Sequence, residues 1–170
     1  MLLHRSLQLW VSSCAYSNPI LAVLFAAAFT ALIQSSGAAV GILSALATKG
    51  LVPFSTAAFM VCGLNIGTCI TAVLASVTGC RNSKRIATFH VLFNLVGTIF
   101  FLIICSATPL LSWIAEFSGT PAHQVANFHT VFNIVTTVIM LPFDAVFMKL
   151  IYKLLPIKGE MLAEGSLIEE

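Results

Sequence analysis

The 170-residue chain is 59% hydrophobic and only 8% charged, with a formal net charge of +2 and a mean hydropathy of +1.02. A soluble domain carries about a quarter charged residues, so this composition marks an integral membrane protein in contact with a lipid bilayer. It excludes nucleic-acid partners as well, because no basic run or aromatic-interleaved patch is present to hold a phosphate backbone.

Charge is confined to His4 and Arg5, Lys49, the cluster Arg81, Lys84 and Arg85, the single acid Glu116, and a tail from Asp144 onward. Apolar passes run over 19–48, 51–79, 86–107 and 122–142. A hydrocarbon core of about 30 Å takes roughly 20 helical residues, and helix is the spanning element open to a single chain. The expected organisation is an N-terminal segment over 1–18, a transmembrane unit over 19–155 and a polar tail over 156–170. "VSSCAYSNP" interrupts the apolar residues near the start, so a cleaved signal peptide is not expected. Cys14, Cys62, Cys69, Cys80 and Cys105 are scattered without metal-ligand spacing and read as small apolar fillers.

The first pass is too long for one upright span and carries Gln34, Ser35 and Ser36 near its middle. The second carries "CGLNIGTC" near its middle. Each is expected to be two half-length helices joined at membrane depth, which makes the fold all-α and polytopic, with a helical hairpin and a discontinuous helix. The side on which the first pass begins stays open. "CRNSKR" at 80–85 reads as a short basic loop on the cytoplasmic side, and the stretch 108–121 reads as a loop holding Glu116 alone. Lys149, Lys153 and Lys158 return the chain to the basic side. An internal repeat is also present: "FHVLFNLVGT" (89–98) and "FHTVFNIVTT" (128–137) share Phe, His, Phe, Asn, Val and Thr in register.

Polar groups without partners cost several kcal/mol in hydrocarbon, so unwound segments persist where protein or water surrounds them. Broken helices expose free N–H groups at one half-helix start, which favour an anion, and free carbonyls at the other end, which favour a cation. Ser35, Ser36, Thr68 and Thr71 add hydroxyls; Gln34 and Asn65 add amides. No Lys or Arg falls inside either break, so an anion there would rest on helix N-termini, hydroxyls, amides and a co-bound cation. This oxygen-rich chemistry suits cation-coupled movement of an oxyanion.

A plainer reading stands beside it. "GAAVG" and "GLNIG" are both Gly-x-x-x-Gly, a spacing for close packing of membrane helices. From spacing alone the two readings are level; the clustering of Gln-Ser-Ser and of Asn between two glycines tips the balance toward a site. His90, Asn94, His129 and Asn133 are expected to be supporting residues, hydrogen-bonding between helices and buttressing the breaks. Catalytic motifs are missing, and an intramembrane serine hydrolase would need a base near Ser35 or Ser36 that the sequence does not supply. The chain is therefore not expected to be an enzyme.

"TALIQSSGAAVGIL", "GLNIGTCITAVLAS", "RNSKRIATFHVLFNLVG" and "VANFHTVFNIVTTVIMLPF", in this order, resemble the membrane domain of type II sodium/phosphate cotransporters, especially the bacterial symporter branch. The resemblance covers about 19–143 and implies two inverted repeats, each with a Gln-Ser-Ser-Ser signature, meeting around phosphate and sodium. It implies binding residues Gln34, Ser35, Ser36, Gly37, Gly63, Asn65, Gly67, Thr68 and Thr71, with Na+ as coupling ion at Gln34, Ser35, Asn65 and Thr68 and no other cofactor. Gly37 stands where the signature has its last serine, Leu64 replaces an alanine and Cys69 a threonine, so hydroxyls are missing. With one signature only, the chain resembles the second half of a family member. The expected function is sodium-coupled inorganic phosphate symport at the bacterial inner membrane, by a half that needs a second repeat or partner chain and does not transport alone. The alternative is a non-transporting membrane subunit that packs against or regulates a transporter.

Overall fold

The computed structural model describes residues 18–156; Cys14, the rest of the N-terminal segment and most of the polar tail, including Lys158, lie outside the described residues. The elements are α1 (Pro19–Ile33), α2 (Ser36–Thr48), α3 (Phe54–Val77), α4 (Arg81–Ala107), α5 (Leu110–Ser118), α6 (Pro121–Met140), a 3-10 turn (Leu141–Phe143) and α7 (Asp144–Leu154). Among the described residues the fold is all-α, and three stretches are long and apolar enough to cross a membrane: Phe54–Val77, Arg81–Ala107 and Pro121–Leu154.

The first pass is broken where its polar triplet lies. Asn18 caps α1 by accepting from the Ile20 N–H, with Pro19 preset in the first turn. The helix ends at Gln34, whose φ of 58° and ψ of 23° are left-handed and whose N–H donates to the Thr30 carbonyl at 2.6 Å. Ser35 returns to extended backbone and starts α2 by accepting from the Ala38 N–H at 3.3 Å. At 1.5 Å per residue, α1 and α2 reach about 22 and 20 Å, short of the ~30 Å core. They touch little beyond the break: α1 lies along α3, and α2 lies against α6 and α3.

The break expected within 51–79 is not there. α3 runs uninterrupted through "GLNIG" because its polar side chains bond to its own backbone: Asn65 Nδ2 donates to the Val61 carbonyl at 3.1 Å, Thr68 Oγ1 to Leu64 at 2.9 Å and Thr71 Oγ1 to Thr68 at 3.0 Å. For its two glycines the packing reading holds. A Cβ at Gly63 would sit 2.1 Å from the Val23 carbonyl oxygen, and one at Gly67 would sit 2.3 Å from that of Ala27. Their missing side chains let α1 press onto α3 backbone to backbone.

Two expected loops are also corrected. Arg81, Asn82, Ser83, Lys84 and Arg85 form the first turns of α4, so the basic connection shrinks to the turn before Arg81. The stretch 108–121 contains α5, fastened to α6 by Gln124 Nε2 on the Ala115 carbonyl (3.2 Å) and Asn127 Nδ2 on Ser118 Oγ (3.0 Å).

An aromatic cluster holds α3, α4 and α6 together: Phe101 lies 4.8 Å from Phe132 and 5.8 Å from Phe128, which meets Phe54 edge-on at 6.2 Å. Phe101 contacting Phe128 and Phe132 while Gly97 meets Thr136 shows that α4 and α6 run antiparallel. Thr98 Oγ1 donates to the Cys62 carbonyl at 3.2 Å, tying α4 to α3. At the basic end, buried Arg85 donates through Nε to the Leu155 carbonyl (3.0 Å) and lies 4.1 Å over the Tyr152 ring, which holds α7 against the start of α4.

Candidate functional site

Near the middle of the helices the structure forms a partly open cavity of about 290 Å³. Its wall is contributed by four elements: Ser36 from the start of α2, Asn65 and Thr68 from α3, His90, Phe93 and Asn94 from α4, and His129 and Asn133 from α6. Asn65 stands midway along α3 and Asn94 midway along α4, which puts the polar wall at mid-membrane depth. The volume is near the ~300 Å³ lower bound of small-ligand pockets. Among the described residues its lining carries no Lys, Arg, Asp or Glu.

The local structure explains why polar side chains are tolerated there. Asn94 Nδ2 donates to the His90 carbonyl at 3.0 Å and Asn133 Nδ2 to the His129 carbonyl at 2.8 Å, the same i to i−4 arrangement as Asn65. Each asparagine thus satisfies one N–H within its helix; the Asn94 amide also meets the Cys69 thiol of α3, and the amide oxygens have no partner among the described residues. Of the interhelical hydrogen bonds expected of these asparagines, Asn94 makes one to the Cys69 thiol of α3, and Asn133 makes none among the described residues. Among the described residues neither the His90 nor the His129 imidazole has a hydrogen-bond partner in the chain. At the cavity's edge, α2 begins: its Ala38 and Ala39 N–H groups are taken by Ser35, while those of Ser36 and Gly37 lie in the first turn, where a helix has no internal acceptor.

Of the residues expected to bind, Ser36, Asn65 and Thr68 come together on this wall; Gln34, Ser35, Gly37, Gly63, Gly67 and Thr71 are not part of it. Gln34 and Ser35 form the break itself, and Gly63 and Gly67 face α1. The four residues expected as buttresses are brought to the same wall, and Phe93 joins them without having been foreseen. The repeat held the signal: His and Asn four apart share a helix face, and both copies turn that face to the cavity. It could not single out Phe93, whose counterpart Phe132 is fully buried in the aromatic core.

The protein YqeW of Bacillus subtilis (strain 168) is 38% identical over 137 residues, covering 81% of this chain and 44% of that protein. The putative inorganic phosphate export protein YjbB of Escherichia coli (strain K12) is 32% identical over 128 residues, 73% of this chain and 22% of that protein. The human sodium-dependent phosphate transport protein 2B is 34% identical over 89 residues, 50% of this chain and 13% of that protein. The chain therefore spans less than half the length of these relatives. No solved structure matches it significantly. Residues 2–120 match the Na+/Pi-cotransporter family, a family of transporters, and the chain belongs to it.

Proposed function

We propose that this chain moves inorganic phosphate across the bacterial inner membrane, coupled to sodium, as one repeat of a transporter completed by a second repeat or partner chain. The observation that carries the reading is a family member whose half-helix start, at Ser36, opens onto an uncharged polar cavity at mid-depth. The first-turn N–H groups of α2 favour an anion, and the Ser36, Thr68 and Asn65 oxygens suit a hard alkali cation beside it. Gln34 and Ser35 shape the break and supply further oxygen ligands for sodium. The need for a second half rests on the first pass: α1 and α2 are each too short to cross the membrane, and the exposed Gly37 and Gly41 face of α2 has nothing within 4 Å of where a side chain would begin. A second repeat packed there would shield the break from lipid.

The test is sodium-gradient-driven phosphate flux in proteoliposomes, measured in both directions with the second half supplied, for wild type, Gln34→Ala and Asn65→Ala. Sodium-dependent flux that falls at least tenfold in both variants is expected. Equal flux in all three would remove these residues from the site, and flux that ignores sodium would remove the coupling. The measured direction also decides between uptake and the export named for the E. coli relative.

A further inference from the structure

We propose that the two copies of the internal repeat form one path of ligands for the transported oxyanion, with Asn94 and Asn133 flanking the centre of the cavity and His90 and His129 as stations toward its two ends, each donating to the oxyanion in turn. This rests on the phosphate reading above and goes beyond it, since these four side chains were expected to buttress the site.

Three observations carry it. The first is placement: both His–Asn pairs line the same cavity, although the phenylalanines of the two copies have parted ways. Phe128 and Phe132 are core, whereas Phe89 and Phe93 stack on each other and Phe89 meets Phe147. Packing therefore does not explain why His and Asn face inward in both copies. The second is direction. α4 and α6 are antiparallel, with Phe101 against Phe128 and Phe132 and Gly97 against Thr136. The repeat is thus presented in opposite senses, and that register puts the asparagines between the histidines along the membrane normal. The third is unused hydrogen-bonding capacity. Each asparagine spends one N–H on its own helix, Asn94 also meets the soft Cys69 thiol, a weak partner that an oxyanion displaces, and each imidazole, partnerless among the described residues, carries at least one N–H in either charge state.

An oxyanion accepts from each of these donors, and among the described residues no carboxylate lines the cavity to repel it. An arrangement that reads the same from both ends suits a solute that must be received from one side of the membrane and released to the other. The local pseudo-symmetry makes the two histidines equivalent stations about a shared centre.

The chain assembled with its second half in nanodiscs, titrated with labelled inorganic phosphate in sodium buffer, tests the proposal. Asn94→Asp and Asn133→Asp keep shape but place a negative charge at the centre; each is expected to weaken phosphate at least tenfold. The double variant His90→Ala/His129→Ala should lose at least tenfold, and His90→Gln/His129→Gln, which restores an N–H donor, should recover most of that loss. Recovery separates a ligand from a packing role, and circular dichroism checks that each variant is folded. Phosphate affinity within twofold of wild type in the folded Asp variants overturns the proposal, as does tighter sodium binding with phosphate unchanged. If the four variants bind normally while Ser36→Ala and Asn65→Ala do not, the ligand set falls and the transport reading stands. If wild type binds no phosphate, both fall.

Discussion

Gly63→Ala probes the contact on which the bundle closes. The added methyl would lie 2.1 Å from the Val23 carbonyl oxygen and 2.9 Å from the Val23 carbonyl carbon and Cα, whereas ordinary Cβ contacts begin at 3.4 Å. These are backbone atoms that no rotamer change can move aside, so α1 must retreat by more than about 1 Å along its contact with α3. Overpacking of this kind costs about 1–3 kcal/mol, and a rigid neighbour puts it at the upper end. Alanine regains about 1 kcal/mol over glycine inside a helix, leaving a net loss of about 2 kcal/mol. At Gly41 nothing lies within 4 Å of an added Cβ, so Gly41→Ala should raise stability of the purified chain by up to about 1 kcal/mol. Unfolding in graded mixtures of mild detergent and SDS, followed by far-UV circular dichroism, measures both. Wild-type stability in Gly63→Ala, or a Gly41→Ala loss as large as that of Gly63→Ala, would refute the packing argument.

Gln34→Gly should stabilise the purified chain by about 1 kcal/mol, because glycine adopts the left-handed conformation that Gln34 holds at φ 58° without Cβ strain, and should lower phosphate flux in the assembled transporter; a destabilised variant would show that the side chain anchors the break. Arg85→Lys should loosen α7, since lysine keeps the charge but loses the geometry that reaches Leu155, Asn82 and the Tyr152 ring together; faster hydrogen exchange confined to α7 and the start of α4 is the expected readout. Cys80 should react first with a membrane-impermeant maleimide in a Cys14→Ser background. It is exposed while Cys62, Cys69 and Cys105 are buried, and the Ser83 hydroxyl and neighbouring N–H groups hold its thiol below the ordinary range, which raises the reactive thiolate fraction at neutral pH. Labelling from one face of sealed vesicles would also orient the basic end, and equal labelling of the buried cysteines would contradict the burial described.

Membrane residence and the approximate passes follow from local sequence because hydropathy and length act residue by residue against a solvent of fixed thickness. The Gln34–Ser35 break was legible for a similar reason: a serine able to cap a new helix follows directly on a polar interruption, and both act within one turn. The second expected break failed because Asn65, Thr68 and Thr71 satisfy themselves on their own helix, which composition alone does not distinguish from unwinding. "GLNIG" and "GAAVG" share one spacing, yet among the described residues only the glycines of the first meet a neighbouring helix; nothing within either motif says which neighbour its glycines face.

The repeat marks the boundary most clearly. By itself the sequence determined that His90 with Asn94, and His129 with Asn133, share helix faces, because residues four apart are neighbours on any α-helix. That the two faces look into one cavity, beside Ser36 and Asn65, was decided by the antiparallel packing of α4 on α6 and the fit of α1 onto Gly63 and Gly67. Those contacts join residues far apart in the chain, and their geometry depends on surfaces that form only when the helices meet.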